Sequence, residues 1–239
     1  VNGALGPIAL GLPRVHLRTT SSTNDRAREL ALAGAPHGTL VTASAQSAGR
    51  GRGGRSWSAP PGSSLLASLL LRSPPRLLPL IAPLAVADVA GPSARIKWPN
   101  DVVVVEGEQL RKLAGILIEG RPQEGWAVLG IGVNAAVELR ELPAELRDTA
   151  ATLGMPRGEI ESLLARLLAA LAQRLAQSSQ ATLAAWSERD ALRGRRVAWQ
   201  AGSGRAQGID GDGRLIVVRE DGGRATLEAG EIHLATARG

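Results

Sequence analysis

The run QSAGRGRGGRSW, from Gln46 to Trp57, interleaves Arg50, Arg52 and Arg55 with glycine and alanine. Glycine lets backbone come close to a ligand, and a guanidinium offers a planar fork of donors that matches phosphate or carboxylate. One reading of the stretch is an anion-binding loop; the other is a solvated basic loop. The lysines sharpen the question. Arginine occurs 26 times and lysine only twice, at Lys97 and Lys112. A compact ammonium sits between two oxygens where a broad guanidinium would displace them, so positions that keep lysine in such a chain are candidates for chemistry.

Other chemistries are disfavoured. There is no cysteine, which removes disulfides, thiolate nucleophiles and thiolate metal sites. His16, His37 and His233 have neither metal-ligand spacing nor an acid–base constellation. Two stretches match a dinucleotide fingerprint literally. Gly49, Gly51 and Gly54 are followed by RSWSAPPGSS, which cannot open a helix, and Gly130, Gly132 and Ala135 lie mid-chain before the poor crossover AAVELRELPAELRD. Neither has the strand–helix context that a nucleotide fold requires.

The elements that must carry these residues are legible as patterns. RVHLR alternates like a strand; SSTNDRARELALAG then offers Ser22 and Asp25 as a capping box, an Ala27/Leu30/Ala31 face and Gly34 as a stop. GTLVTASAQ is strand-like and runs into the arginine loop; SSLLASLLLR reads as a buried strand and RLLPLIAPLAVADVAG as a proline-marked helix. ARIKW, KLAGILIE and WAVLGIGV are three further strands. From Gly158, apolar residues from Ile160 to Leu175 recur at helical spacing, and ATLAAWSERDAL is a second helix. Beyond Arg193 the texture changes to short alternating runs punctuated by glycine, which predicts a small β-barrel or meander docked on the first part. Phe and Tyr are absent, so aliphatic residues and Trp must fill the core.

A net charge of +6 and a pI near 11.1 suit nucleic acid, nucleotides or an acidic protein, without choosing among them. No stretch reaches the roughly 18 apolar residues of a membrane span, and a cytoplasmic protein with no membrane partner is expected. The thirteen residues before Arg14 hold three glycines, two prolines and no charge. They cannot build a helix-turn-helix, so no sequence-specific DNA binding is expected.

Five segments occur in order: SSTN at 21–24, QSAGRGRGGRSWSAP at 46–60, KWPND at 97–101, KLAGILIE at 112–119 and GIGVN at 130–134. Together they resemble the biotin protein ligases, in the form that lacks an N-terminal DNA-binding domain. The resemblance implies an α+β fold: a catalytic domain over 14–191 with a mixed sheet akin to class II aminoacyl-tRNA synthetases, after an N-terminal tail of 1–13. A small C-terminal SH3-like β-barrel would span 192–239. It implies that biotin and ATP, with Mg²⁺, give biotinyl-5'-AMP, and that the biotinyl group passes to one lysine of a biotin carboxyl carrier domain of a carboxylase. A homodimer through a sheet edge is left open.

By the same resemblance Lys112, Arg50 and Arg52 are catalytic. Ser22, Thr23, Asn24, Gln46, Arg50, Gly51, Arg52, Lys112 and Gly115 meet biotin. Arg52, Arg55, Trp57, Lys97, Asn100, Asp101 and Asn134 meet ATP or the adenylate, with Trp57 on the adenine and Asp101 also a candidate Mg²⁺ ligand. Gly130 and Gly132 thin their strand for the ligand. A lipoate or octanoate ligase of the same fold would want a smooth apolar tunnel in place of Ser22, Thr23, Asn24 and Gln46. A non-enzymatic nucleic-acid binder would want more aromatics near the arginines than Trp57.

Overall fold

The structure is a computed structural model that describes residues 10–121, 124–228 and 232–234. Most of the expected tail, and the ends of the last two alternating runs, lie outside the described residues.

The chain opens with β1 (Arg14–Leu17), α1 (Thr23–Leu32) and β2 (Leu40–Ala43), and after the arginine loop enters β3 (Ser64–Arg72). Then come α2 (Leu78–Ala90), β4 (Ala94–Lys97), β5 (Asp101–Glu106), β6 (Gln109–Arg121) and β7 (Trp126–Asn134). These strands form one seven-stranded sheet in the order β1-β2-β3-β7-β6-β5-β4. It is mixed, because β1 and β2 run parallel while every other neighbouring pair is antiparallel. The strand β5 was not among those expected. Its run of four valines was signal enough, since β-branched residues favour a pleated surface.

Alternation along the strands sorts the two faces. Leu65, Ala67, Leu69, Leu71, Leu129 and Ile131 join a core with α2 and with α4 (Ile160–Leu175), whose Leu163, Leu164, Leu167 and Leu171 are buried at helical spacing. On the other face Val41, Leu70 and Val128 pack under Ala27 and Ala31 of α1. That helix covers only one end of the face, and the rest is left for the pocket.

After a short helix α3 (Ala144–Arg147), then α4, α5 (Ser179–Arg189) leads to β8 (Arg196–Trp199), β9 (Gly202–Ile209), β10 (Leu215–Arg219), β11 (Arg224–Leu227) and β12 (His233–Leu234). They form an antiparallel sheet in the order β11-β10-β9-β8-β12. This second sheet docks on the first, as its small size requires: Val197, Ala206, Leu215 and Val217 belong to the same apolar cluster as Ile96, Trp98 and Trp186, and Trp98 Nε1 donates to Gly213 O at 2.9 Å. Among the described residues no helix is long and apolar enough to cross a membrane.

The capping box is not formed. Ser22 occupies the N-cap of α1 in extended conformation, yet its side chain makes no capping bond. Gln46 Oε1 takes the duty, accepting from the Thr23 N–H at 2.7 Å and from Thr23 Oγ1 at 3.0 Å. Asp25 is drawn instead to Arg50 and Arg28, because a carboxylate gains more from a charged donor than from a neutral N–H.

Candidate active site

Strand register draws a line across the open face. Leu66 pairs with Gly132, Gly132 with Gly115, Gly115 with Asp101, and Asp101 with Lys97. Paired residues share a face, so these five form one strip of pocket floor, hollowed at its centre by two glycines. The Trp57 ring fills that hollow. A Cβ on Gly132 would lie 2.7 Å from Trp57 Cε2, and one on Gly115 would lie 3.0 Å from Cζ3. One row along, Gly130 lies between Ser68 and Leu117, and its missing Cβ makes room for the Asn24 carboxamide, which would be 2.1 Å away at Oδ1. The glycines do thin their strands, but the immediate beneficiaries are two side chains of the protein.

Lys112 reaches this face through an irregularity. It stands three positions before Gly115, and in a regular strand the two would point oppositely. The register with β5 shifts, however: Val102 pairs with Ala114 and Val103 with Lys112, leaving Leu113 as the extra residue. Such a bulge re-aims the side chain before it, and Lys112 thereby joins the face of Gly115. Its Nζ lies 2.7 Å from Asp101 Oδ1, close as an ion pair but not aligned as a hydrogen bond, and 5.7 Å from the centre of the Trp57 ring.

The arginine loop roofs the floor. Gly51 N donates to Arg55 O at 2.7 Å and Trp57 N to Gly49 O at 2.9 Å, while a 3-10 turn over Arg52–Gly54 reverses the chain with Gly53 at φ 63° and Gly54 at φ 76°. The Arg50 guanidinium is held by Asp25 and Glu119. Arg52 has no ion pair among the described residues, and burial lowers its pKa from the ordinary value, with Asp101 opposing the shift and Arg55 adding to it. An arginine stays charged in proteins, so the burial of this cation is only partly offset by Asp101, and a bound anion would supply the rest.

Every residue to which the resemblance assigned a ligand role lines one cavity of about 360 Å³. Several nevertheless spend their polar atoms on the protein. Asn24 Nδ2 donates to Glu119 Oε2 at 2.8 Å, and Asn24 Oδ1 accepts from Ser68 Oγ at 2.6 Å. Asn100 Nδ2 donates to Ile116 O at 2.8 Å, and Asn134 Nδ2 to Ala151 O at 3.0 Å. Ser22 is buried at the cavity with no capping bond. Among the described residues no cluster of three His, Asp or Glu could hold a metal, so Asp101 stands as a single carboxylate oxygen beside the cations.

Residues that motif reading passed over complete the site. Ser68 is fully buried and reaches both Asn24 and Thr23; a serine amid the leucines of β3 was the available signal. Glu119 closes the KLAGILIE segment, and its partners are 69 and 95 residues away, a pairing that no local pattern displays.

The model of the biotin/lipoate A/B protein ligase family matches residues 16–135, which carry most of the pocket lining, and that of the biotin protein ligase C-terminal domain matches 194–234, the second sheet. The chain belongs to this family, among its biotin protein ligases. A biotin--[acetyl-CoA-carboxylase] ligase of Paracoccus denitrificans is 34% identical over 242 residues, covering 90% of this chain and 98% of its own. A bifunctional ligase/repressor of Bacillus subtilis is 37% identical over 162 residues, 63% of this chain, and the match spans about half (49%) of that longer relative. The biotin protein ligase from Aquifex aeolicus solved in complex with biotin and ATP superposes with a TM-score of 0.78 at 27% identity, covering 94% of this chain and 99% of that one.

Proposed function

We propose that the chain is an ATP-dependent ligase. It joins the biotin carboxylate to the α-phosphate of ATP, releasing pyrophosphate, and passes the biotinyl group from biotinyl-5'-AMP to a lysine of a biotin carboxyl carrier domain. The observation that carries this reading is the convergence of Lys112 and of Arg52, which makes no ion pair among the described residues, over a glycine-hollowed floor, together with family membership.

The chemistry requires it. A carboxylate must approach a phosphate, and negative charge grows on the phosphoryl oxygens as pyrophosphate leaves. Prepositioned cations stabilise that charge without reorganising at the moment of reaction. Lys112 has the compact ammonium to sit between the two anions, and its present partner Asp101 holds it in place until they arrive. Arg52 and Arg55 meet the phosphates from the roof, and Lys97 and Asp101 from the floor. At the other end of the cavity the ureido ring needs donors and acceptors. Ser22 and Thr23 carry hydroxyls, and Gln46, with its Oε1 already taken by Thr23, presents amide N–H groups. Asn24 supports them from behind. Mg²⁺ characteristically uses one or two carboxylates and substrate phosphates; Asp101 is the residue that would hold it, and the ion would neutralise phosphate charge there. In the second step the acceptor lysine amine attacks the acyl carbon and AMP leaves.

We also read 14–191 as a catalytic domain of class II synthetase type and 192–239 as an SH3-like barrel, a reading that the five-stranded antiparallel order supports. The test is ATP–pyrophosphate exchange with biotin, octanoate and lipoate in parallel. Exchange with biotin alone is expected; exchange with octanoate or lipoate, or with none of them, overturns the assignment.

A further inference from the structure

The arginines of the roof differ in what they touch. Arg50 Nη1 lies 2.5 Å from Asp25 Oδ1, on α1, and Nη2 bonds Glu119 Oε1, on β6. Arg28 meets the same two carboxylates, at 3.1 Å from Asp25 and 4.0 Å from Glu119. Two guanidiniums and two carboxylates thus alternate, and the cluster is neutral. It carries no net charge to attract an anion. Around Arg52, by contrast, Arg55, Lys97 and Lys112 line the same cavity with Asp101 as the one carboxylate of that lining.

We propose that Arg50 is a positioning residue: a latch that fastens the glycine–arginine loop to α1 and β6, with its side chain making no contact to the reacting groups. The latch is wired to the far end of the cavity. Glu119 spends its other oxygen on Asn24, Asn24 accepts from Ser68, and Ser68 reaches Thr23, which bonds Gln46. Closing the loop and aligning Thr23 and Gln46 therefore draw on one hydrogen-bonded network, and releasing Arg50 loosens both. An isolated exposed pair would contribute little; a fork engaging two partly buried carboxylates from different elements is the geometry in which arginine differs from lysine. The consequence for substrate rests on the ligase reading, whereas the latch itself does not.

Two measurements separate the two. Amide hydrogen exchange of residues 47–57 without substrate reads the latch, and calorimetry with biotin reads its consequence. Arg50→Ala, and the pair Asp25→Asn with Glu119→Gln, should each speed loop exchange about tenfold and weaken biotin binding by a similar factor. The triple variant should add less than about threefold, because the partners act through one another. Arg50→Lys, which keeps the charge but not the fork, should recover only part of the protection. Independent, multiplying effects of Arg50 and the carboxylates, or loop exchange in Arg50→Ala within about threefold of the parent, would overturn the latch. If the parent binds no biotin, the ligase reading fails while the exchange data still decide the latch.

Discussion

The floor and the roof of the pocket are built on different physics. The floor is a strip of paired strand residues whose register fixes each position, and its tolerances are steric: Gly132, Gly115 and Gly130 are glycine because Trp57 and Asn24 occupy the space their side chains would need. The roof is a loop of arginine and glycine with little packed beneath its tip, and its tolerances are electrostatic. Arg50 is bound in a neutral cluster, whereas Arg52 is left short of an anion. A methyl group should therefore break the floor and barely touch the roof, while a charge change should do the reverse. Lys112 belongs to both, since a floor strand carries it and its charge completes the roof.

The largest effect is expected there. Lys112→Arg should fold but lose adenylate synthesis by roughly two orders of magnitude or more, about 2.7 kcal/mol of transition-state stabilisation. Exchange rates near those of the parent would remove Lys112 from the chemistry. Next, Gly130→Ala places a Cβ against a carboxamide that Ser68 and Glu119 hold fast. Overpacking of this kind costs about 1–3 kcal/mol, more than the roughly 0.4–1 kcal/mol gained by stiffening the unfolded chain. Thermal unfolding should show a Tm lower by several degrees, at about 2–4 °C per kcal/mol; an unchanged Tm would mean that the floor can yield.

Arg52→Gly, on the roof, should leave Tm nearly unaltered. It should still form some adenylate but release it, so that lysines of bystander proteins become labelled; labelling confined to the carrier domain would take Arg52 out of the roof's function. The smallest effect is that of salt. Between about 0.05 and about 0.5 M NaCl, screening should speed amide exchange in the roof by a few-fold and leave β6 and β7 unaffected, because ion pairs that remain partly open to solvent are screened and packed strands are not. Equal responses in the two regions would erase the distinction.

How much of this was legible in the sequence depends on the range of the interaction. The helix over Ile160–Leu175 follows from a period of 3.6, and the strands around Leu65–Leu71 and Val128–Val133 from short continuous apolar runs, both of which are local. The scarcity of lysine marked Lys112, and the ordered segments brought together residues that all line one cavity. Asp25 shows the limit. A capping role was the sensible local expectation, and a guanidinium 25 residues away displaced it.

Composition, periodicity and motif order by themselves determined the class of the chain, its division into a larger mixed α+β part and a small β part, and the set of side chains that line the cavity. Each of these depends on residue identity or on neighbours a few positions apart. Tertiary structure alone decided which atoms are available. The bulge at Leu113 turned Lys112 onto the face of Gly115, the register lined up Gly132 with Gly115, and the crossing of α1 over β7 put Asn24 against Gly130. A one-residue shift of register changes the face on which a side chain stands, and a charged group chooses among all partners within reach in space, so neither outcome is written in any window of the chain.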